Sequence, residues 1–211
     1  MTDIRESEPR SGLVSRRTIA RTAAWSVPAV AVVAAAPPAS ASVSTSSVAL
    51  TGNVTSLLAL RVLSSQTVLT ARAPVTVPTA LTITNGPGAL NETATVTVVV
   101  GRPAGVNITV GRAHGFGVDQ FNGVATSAGQ RTATYVNNLG FPATQFTTTL
   151  PVALPSNGSV DVPIVWGLAG SRAGLSIDVA ATFPVTVSVV FASVTRTATS
   201  AITVPAGAGI F

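Results

Sequence analysis

Beyond residue 41, apolar side chains recur at every second position over several short stretches of the chain. In 75–83, 96–100, 146–152, 160–166 and 181–191, Val, Leu, Ile or Phe alternate mainly with Thr, Ser or Asp. A period of two is typical of strands that bury one face, and β-branched residues suit a pleated surface. The inward positions predicted in this way are Val75, Val77, Leu81, Ile83, Val96, Val98, Val100, Val106, Ile108, Val110, Phe146, Leu150, Val152, Val160, Val162, Ile164, Trp166, Leu175, Ile177, Val179, Ala181, Phe183, Val185, Val187, Val189, Phe191, Ile202 and Val204.

Turn-forming residues separate these stretches, and no helical stripe follows residue 41. Gly, Pro and Asn concentrate at 85–88, 101–105, 138–140 and 155–158. Many short strands divided by such turns favour two packed antiparallel sheets over a parallel sheet. The pattern predicts an all-β fold, an antiparallel Ig-like β-sandwich, formed by a single domain over 42–211.

Two parts of this domain depart from the alternating pattern. Residues 111–129 are Gly-rich with weaker alternation, and we expect them to form a long loop or irregular hairpin within a long insert, 111–145. Residues 42–55 are rich in Ser and Thr, and we expect them to begin as a flexible stalk.

Residues 1–41 have the organisation of a targeting segment. A polar stretch containing arginines runs to Arg21, and an apolar stretch covers 22–36. Ala39 and Ala41 then form a small-x-small site of the kind that signal peptidase accepts. The segment predicts export, with residues 1–41 removed as a signal peptide.

Within this leader, Ser15, Arg16 and Arg17 resemble the twin-arginine export motif. Ile19 stands where that motif usually has a large apolar residue, and Arg21 where it often has Lys. The whole segment is similar to leaders of exported proteins from high-GC actinobacteria. The alternative is an ordinary Sec signal with a chance arginine pair.

Charge is sparse, and its distribution limits the functions that it supports. Charged residues make up 9% of the chain, and Lys and Cys are absent, which excludes disulfides and thiolate chemistry. Residues 42–211 carry seven arginines against four acids, a net charge of +3. These arginines form no run, whereas nucleic-acid binding normally needs a clustered basic face. The sequence therefore predicts no nucleic-acid partner, and no stretch of this part is long and apolar enough to predict a membrane span.

Turn chemistry connects the domain to a family. Leu-Thr-Ile-Thr-Asn-Gly-Pro-Gly at 81–88, followed by the strand pattern of 93–100, resembles the opening of bacterial surface Ig-like repeats. The turn and strand at 154–166 are similar to a later part of those repeats. The resemblance covers roughly 75–190 and implies a cell-surface or adhesion-type scaffold. It carries over no functional residues.

Titratable groups outside the leader are few. His114 and Asp119 could orient a serine-based triad, but the chain has no Gly-x-Ser-x-Gly elbow. The acids are far apart in sequence, so we predict no metal site and no cofactor. We expect a secreted or cell-surface non-catalytic structural or adhesion module that contacts cell-wall or surface protein components through sheet edges and 111–145. The alternative is a secreted hydrolase or carbohydrate-binding accessory with a site near His114 and Asp119.

Aromatic residues are the remaining candidates for contact. Phe116, Phe121 and Phe141, all within 111–145, are the best candidates for an exposed apolar contact surface, although packing beneath that segment is the interpretation that the pattern favours. Trp166 shares the inward phase and is predicted to be buried, while Tyr135 could face either way.

Overall fold

The computed structural model describes residues 45–57, 59–64, 68–70, 74–104, 106, 111–170, 180–192 and 194–206. Within these residues the chain forms fourteen strands and one short 3₁₀ helix, η1 (Ala128–Gln130). The strands are β1 (Ser47–Thr51), β2 (Val54–Ser56), β3 (Ala59–Val62), β4 (Val68–Thr70), β5 (Val75–Val77), β6 (Ala80–Thr84), β7 (Leu90–Val100), β8 (His114–Phe121), β9 (Val124–Ala125), β10 (Arg131–Val136), β11 (Leu139–Leu154), β12 (Ser159–Gly170), β13 (Ala181–Phe191) and β14 (Val194–Val204).

The strands form two seven-stranded sheets. In the first sheet β1, β6, β12, β3 and β4 lie side by side in that order, and β8 pairs with both β12 and β9. In the second sheet the order is β10, β11, β7, β13, β14, β5 and β2. Paired strands are antiparallel in both sheets, except that β12 runs parallel to β3. The prediction of an all-β antiparallel sandwich is confirmed.

The two sheets bury their inner faces against each other. Phe116 of the first sheet meets Phe183 of the second with ring centroids 5.0 Å apart, and Phe121 meets Phe146 at 5.5 Å. The inward positions that the structure describes are buried, except Val160, which is 37% exposed, and Val106, which is partly buried. Ile108, Val110, Leu175, Ile177 and Val179 lie outside the described residues. Val160 is the second residue of β12, directly after the 155–158 turn, where the core no longer covers that face.

Trp166 lies in this core, as its phase predicts. The side chain is 4% exposed, and its indole Nε1 donates a hydrogen bond to the carbonyl oxygen of Pro78 at 2.6 Å. A buried indole N–H without an acceptor would destabilise the fold, and this hydrogen bond supplies the acceptor. Trp166 therefore belongs to the packing of the sandwich.

Of the two expectations for 111–129, the long loop is wrong and the irregular hairpin is confirmed, because β8 and β9 pair with each other. Residues His114–Phe121 form β8, whose pairing with β12 extends along its full length. A short hairpin then connects β8 to β9, and η1 leads into β10. The alternation of side chains could not predict β8, because its glycines have no side chain that would point to one face or the other.

A β-bulge explains the weak alternation of β8. The ladder with β12 skips Asp119, since the residues on either side of it pair with consecutive residues of β12. An extra residue of this kind inverts the in-and-out order of the strand. Phe116 and Phe121 lie an odd number of positions apart, yet both are buried. The bulge therefore lets one strand contribute aromatic residues to the core on either side of Asp119.

Two expectations concern the N-terminal part of the chain, namely a flexible stalk over 42–55 and a signal peptide over 1–41. The stalk predicted over 42–55 is wrong where the structure describes it, because Ser47–Thr51 pairs with β6 and Val54–Ser56 pairs with β5. The signal motif (Ser15, Arg16 and Arg17) and the cleavage site (Ala39 and Ala41) lie outside the described residues. Export therefore stays a prediction.

A tight hairpin places β10 at the border of the second sheet. Asn137 and Asn138 connect β10 to β11, and both have left-handed backbone angles, with φ of 49° and 60°. Two-residue hairpin loops need such angles to match the strand twist, and Asn tolerates them better than most residues. β11 continues from this turn into the middle of the sheet, which leaves β10 as its outermost strand.

Candidate functional site

The three phenylalanines proposed as a contact surface are core residues. Phe116 is 0% exposed, Phe141 is 4% exposed and Phe121 is 5% exposed. Phe116 of the first sheet and Phe141 of the second both pack edge-on against Phe183 of the second sheet. The expectation of an exposed apolar surface is therefore wrong for all three residues. Their side chains pack in the core, which was the other interpretation of the pattern.

The structure does not bring His114 and Asp119 together. They occupy positions five residues apart on β8, which at roughly 3.3 Å per residue separates their backbones by about 16 Å. A catalytic histidine must hydrogen-bond directly to the carboxylate that orients it. These two side chains therefore do not form the orienting pair of a triad.

His114 is the only histidine of the chain and is half-buried. Its Nε2 atom is buried and has no hydrogen-bond partner. Burial lowers the pKa of His114 below its ordinary value, because the protein interior penalises the charged imidazolium. The unfolded chain consequently binds a proton at this residue more readily than the folded chain does.

This lowered pKa predicts a loss of stability in mild acid. The free energy of unfolding should fall as the pH drops from about 7.5 to about 5.5, by at most about 1.4 kcal/mol per pH unit, because the unfolded state takes up the proton first. Urea unfolding at stepped pH measures this. His114→Gln should flatten the curve over that range, and a drop that persists in His114→Gln would contradict the assignment.

Asp119, the bulge residue, carries a buried carboxylate between two arginines. Its Oδ2 lies 4.0 Å from Nε of Arg61 on β3. Burial lowers the pKa of Arg131 on β10, and the negative charge of Asp119 counteracts part of that effect. Arg61 belongs to the first sheet and Arg131 to the second. The charge of Asp119 therefore acts on arginines of both sheets.

Arg102 binds the β10–β11 hairpin from the end of β7. Its Nη2 donates to the carbonyl oxygen of Thr134 at 2.8 Å, and its Nε donates to that of Phe141 at 3.2 Å. Both acceptors are neutral, so these bonds position the guanidinium without neutralising its charge.

Arg112 binds the turn of the same hairpin. Its Nε and Nη2 donate to the main-chain and side-chain oxygens of Asn138, at 3.1 Å and 2.8 Å. The guanidinium carbon lies 4.9 Å from the ring centroid of Tyr135, within cation–π range. The Tyr135 hydroxyl in turn donates to the carbonyl oxygen of Ala113 at 3.2 Å. Among the described residues, no carboxylate pairs with Arg112.

Arg102, Arg112 and Arg131 thus surround β10, and we call these three residues the basic cluster. Beside them a cleft of about 360 Å³ opens between β10 and the first sheet, which we call the β10 cleft. It is lined by Leu63, Ser64, Arg112, Ala128, Arg131, Thr132, Ala133, Tyr135, Ala169 and Gly170. Two cluster arginines and a tyrosine on its walls make it suited to an anionic ligand.

Sequence reasoning missed this cluster because its members are not neighbours in the chain. Arg102, Arg112 and Arg131 are at least ten positions apart, and each alone is typical of a solvated surface charge. Their convergence depends on the pairing of β10 with β11 and of residues 111–113 with Gly140. No local pattern encodes that pairing.

Other kinds of site find no support in the described residues. They contain no group of three or more His, Asp or Glu side chains placed to hold a metal ion. Within the same ranges, no helix is long and apolar enough to cross a membrane. Comparisons with protein-family models, curated proteins and solved structures found no match to this chain.

Proposed function

We propose that this protein is an exported, non-catalytic Ig-like module that works at the cell surface as an adhesion or structural component. In this proposal the β10 cleft is the contact surface, and the partner is an anionic component of the cell wall or of a surface protein. Export is supported by the leader pattern of 1–41, with its arginine pair and small-x-small site.

The observation that carries the proposal is the basic cluster. Arg102 and Arg112 are held by neutral oxygen atoms, so their charges stay available to a ligand. The carboxylate of Asp119 is buried, lies 4.0 Å from Nε of Arg61, and raises the pKa of Arg131 against the effect of burial. Charged residues make up only 9% of this chain, so three arginines around one strand are a marked concentration of charge.

The first test concerns export and processing. The full chain, expressed in an actinobacterial host, should be recovered outside the cytoplasm with its N-terminus at Ser42, as read by mass spectrometry. A product that retains Met1 and stays in the cytoplasm would contradict the proposal.

The second test concerns binding through the cluster. Purified protein should sediment with isolated cell-envelope material, and the double variant Arg102→Gln/Arg112→Gln should reduce the bound fraction about tenfold at low salt, because two charge-assisted contacts are removed. Arg196→Gln, which removes one charge on β14, is the control and should bind like the wild type. Equal sedimentation of all three proteins would refute the role of the cluster.

A further inference from the structure

We propose that the free edge of β10 accepts an extended, acidic peptide segment as an added strand, with Arg112 and Arg131 binding its carboxylates. This inference rests on the proposed binding role of the β10 cleft and names the chemistry of its occupant.

β10 ends the second sheet and is exposed. Among the described strands, only β11 pairs with it. Its six residues make it longer than the other border strands of the two sheets, which have two to five residues. Proteins usually protect such borders with short strands, Pro or Lys, whereas Thr132, Ala133 and Thr134 are exposed and neutral. An unprotected edge of this length is a template for strand addition.

The hydrogen bonds of η1 show which backbone groups of β10 point away from β11. The N–H of Arg131 donates to the carbonyl oxygen of Ala128, so it does not pair with β11. In an antiparallel ladder, alternate residues direct both N–H and C=O groups to the same neighbour. Ala133, two positions further on, therefore directs its N–H and C=O groups to the free edge, and Ala133 also lines the β10 cleft.

The walls of the cleft fit a strand with alternating side chains. Leu63 and Ala169 contribute an apolar wall from the first sheet, and Arg112 and Arg131 contribute charge. A guanidinium forms paired, charge-assisted hydrogen bonds with a carboxylate, which favours Asp or Glu at the positions facing these arginines. The backbone would supply affinity through Ala133, and the arginines would supply selectivity.

An anionic polysaccharide is the competing occupant, and the geometry of Tyr135 argues against it. Sugar rings bind proteins by stacking on exposed aromatic faces. One face of the Tyr135 ring is covered by the guanidinium of Arg112, and its hydroxyl is bonded to the carbonyl oxygen of Ala113. A polysaccharide would use the charges but would have no need of the Ala133 backbone groups.

The experiment uses a fluorescent ten-residue peptide that alternates Glu with Val or Thr, with binding to the full-length protein measured by fluorescence anisotropy. Ala133→Pro removes the outward N–H without touching the β11 ladder, and proline is tolerated at strand borders. It should weaken binding about tenfold or more, through the lost hydrogen bond and the clash of the ring with the incoming strand. Arg112→Gln should weaken binding about tenfold, and Val190→Ala, which changes an exposed residue of β13, should leave it unchanged.

A backbone-methylated version of the peptide keeps the tests decisive even if Ala133→Pro fails to fold. It retains every carboxylate but cannot form the ladder, so it should not bind. Equal binding of the methylated peptide, or tighter binding of an anionic polysaccharide such as polygalacturonate, would overturn strand addition. Hydrogen-exchange protection of the Ala133 amide in the free protein would overturn it too, since the edge would then be occupied already. Loss of envelope binding in the arginine double variant, with none in Ala133→Pro, would leave the proposed function standing and reject this inference alone.

Discussion

The variant Phe183→Ala is expected to unfold with a free energy about 4 kcal/mol lower than that of the wild type, because it leaves a cavity at the centre of the sandwich. Phe183 lies on β13 and is 0% exposed. Its ring meets those of Phe116 and Phe141 edge-on, at 5.0 Å and 5.4 Å between centroids. Such aromatic pairs contribute beyond the area that they bury, and truncation removes both at once.

Urea unfolding followed by tryptophan fluorescence measures this loss. Val190→Ala is the matched control, because Val190 lies on the same strand but is 40% exposed, and its truncation should cost less than about 1 kcal/mol. A cost for Phe183→Ala close to that of Val190→Ala would show that the inner faces do not meet at this residue.

The variant Gly167→Val is expected to lower the free energy of unfolding by about 3 kcal/mol, through overpacking where β12 meets β3. A Cβ atom at Gly167 would lie 2.7 Å from the carbonyl oxygen of Arg61 and 2.7 Å from a methyl carbon of Leu63. The first of these neighbours is backbone of a paired strand and cannot move aside cheaply. Relief of the clash requires β3 to shift away from β12.

Hydrogen exchange should locate that effect. The amides of β3 should lose more protection in Gly167→Val than those of β7 and β13, which should fall only by the change in global stability. Gly129→Ala is the control, since a Cβ there meets no atom within 4 Å, and the change should stay within about 0.5 kcal/mol of the wild type. If Gly167→Val unfolds like Gly129→Ala, the parallel pairing of β12 and β3 is incorrect.

The alternation of side chains could locate the sandwich core because the direction of a side chain in a strand depends only on its position's parity. Val96, Val98 and Val100 on β7, and the odd-numbered residues of β13, needed no other information. Parity fails where a bulge intervenes, so the inward directions of both Phe116 and Phe121 could not be derived without the pairing of β8 and β12. The exposure of Val160 likewise depends on where the opposite sheet ends.

The β10 cleft lies beyond this kind of reasoning for a different reason. Its charged residues come from separate strands and connections, and a single arginine in a polar stretch carries no information about its neighbours in space. Tyr135 could be assigned no direction from its phase, and its contacts with Arg112 and Ala113 follow from the bridge between 111–113 and Gly140. Strand pairing, which decides these contacts, is a long-range property of the chain.

The pairing of β12 with β3 also constrains how the chain acquires its structure. Gly167 joins Arg61 across about a hundred intervening residues, and closure of a loop of that length costs entropy before any contact compensates for it. Folds dominated by distant pairings reach the native state slowly, in milliseconds to seconds. During synthesis, the part of β12 that pairs with β3 is made only when about four-fifths of the whole chain has been synthesised. The pairing of β3 with β12 therefore forms late, after the local pairs β1–β6 and β3–β4 of the same sheet can form.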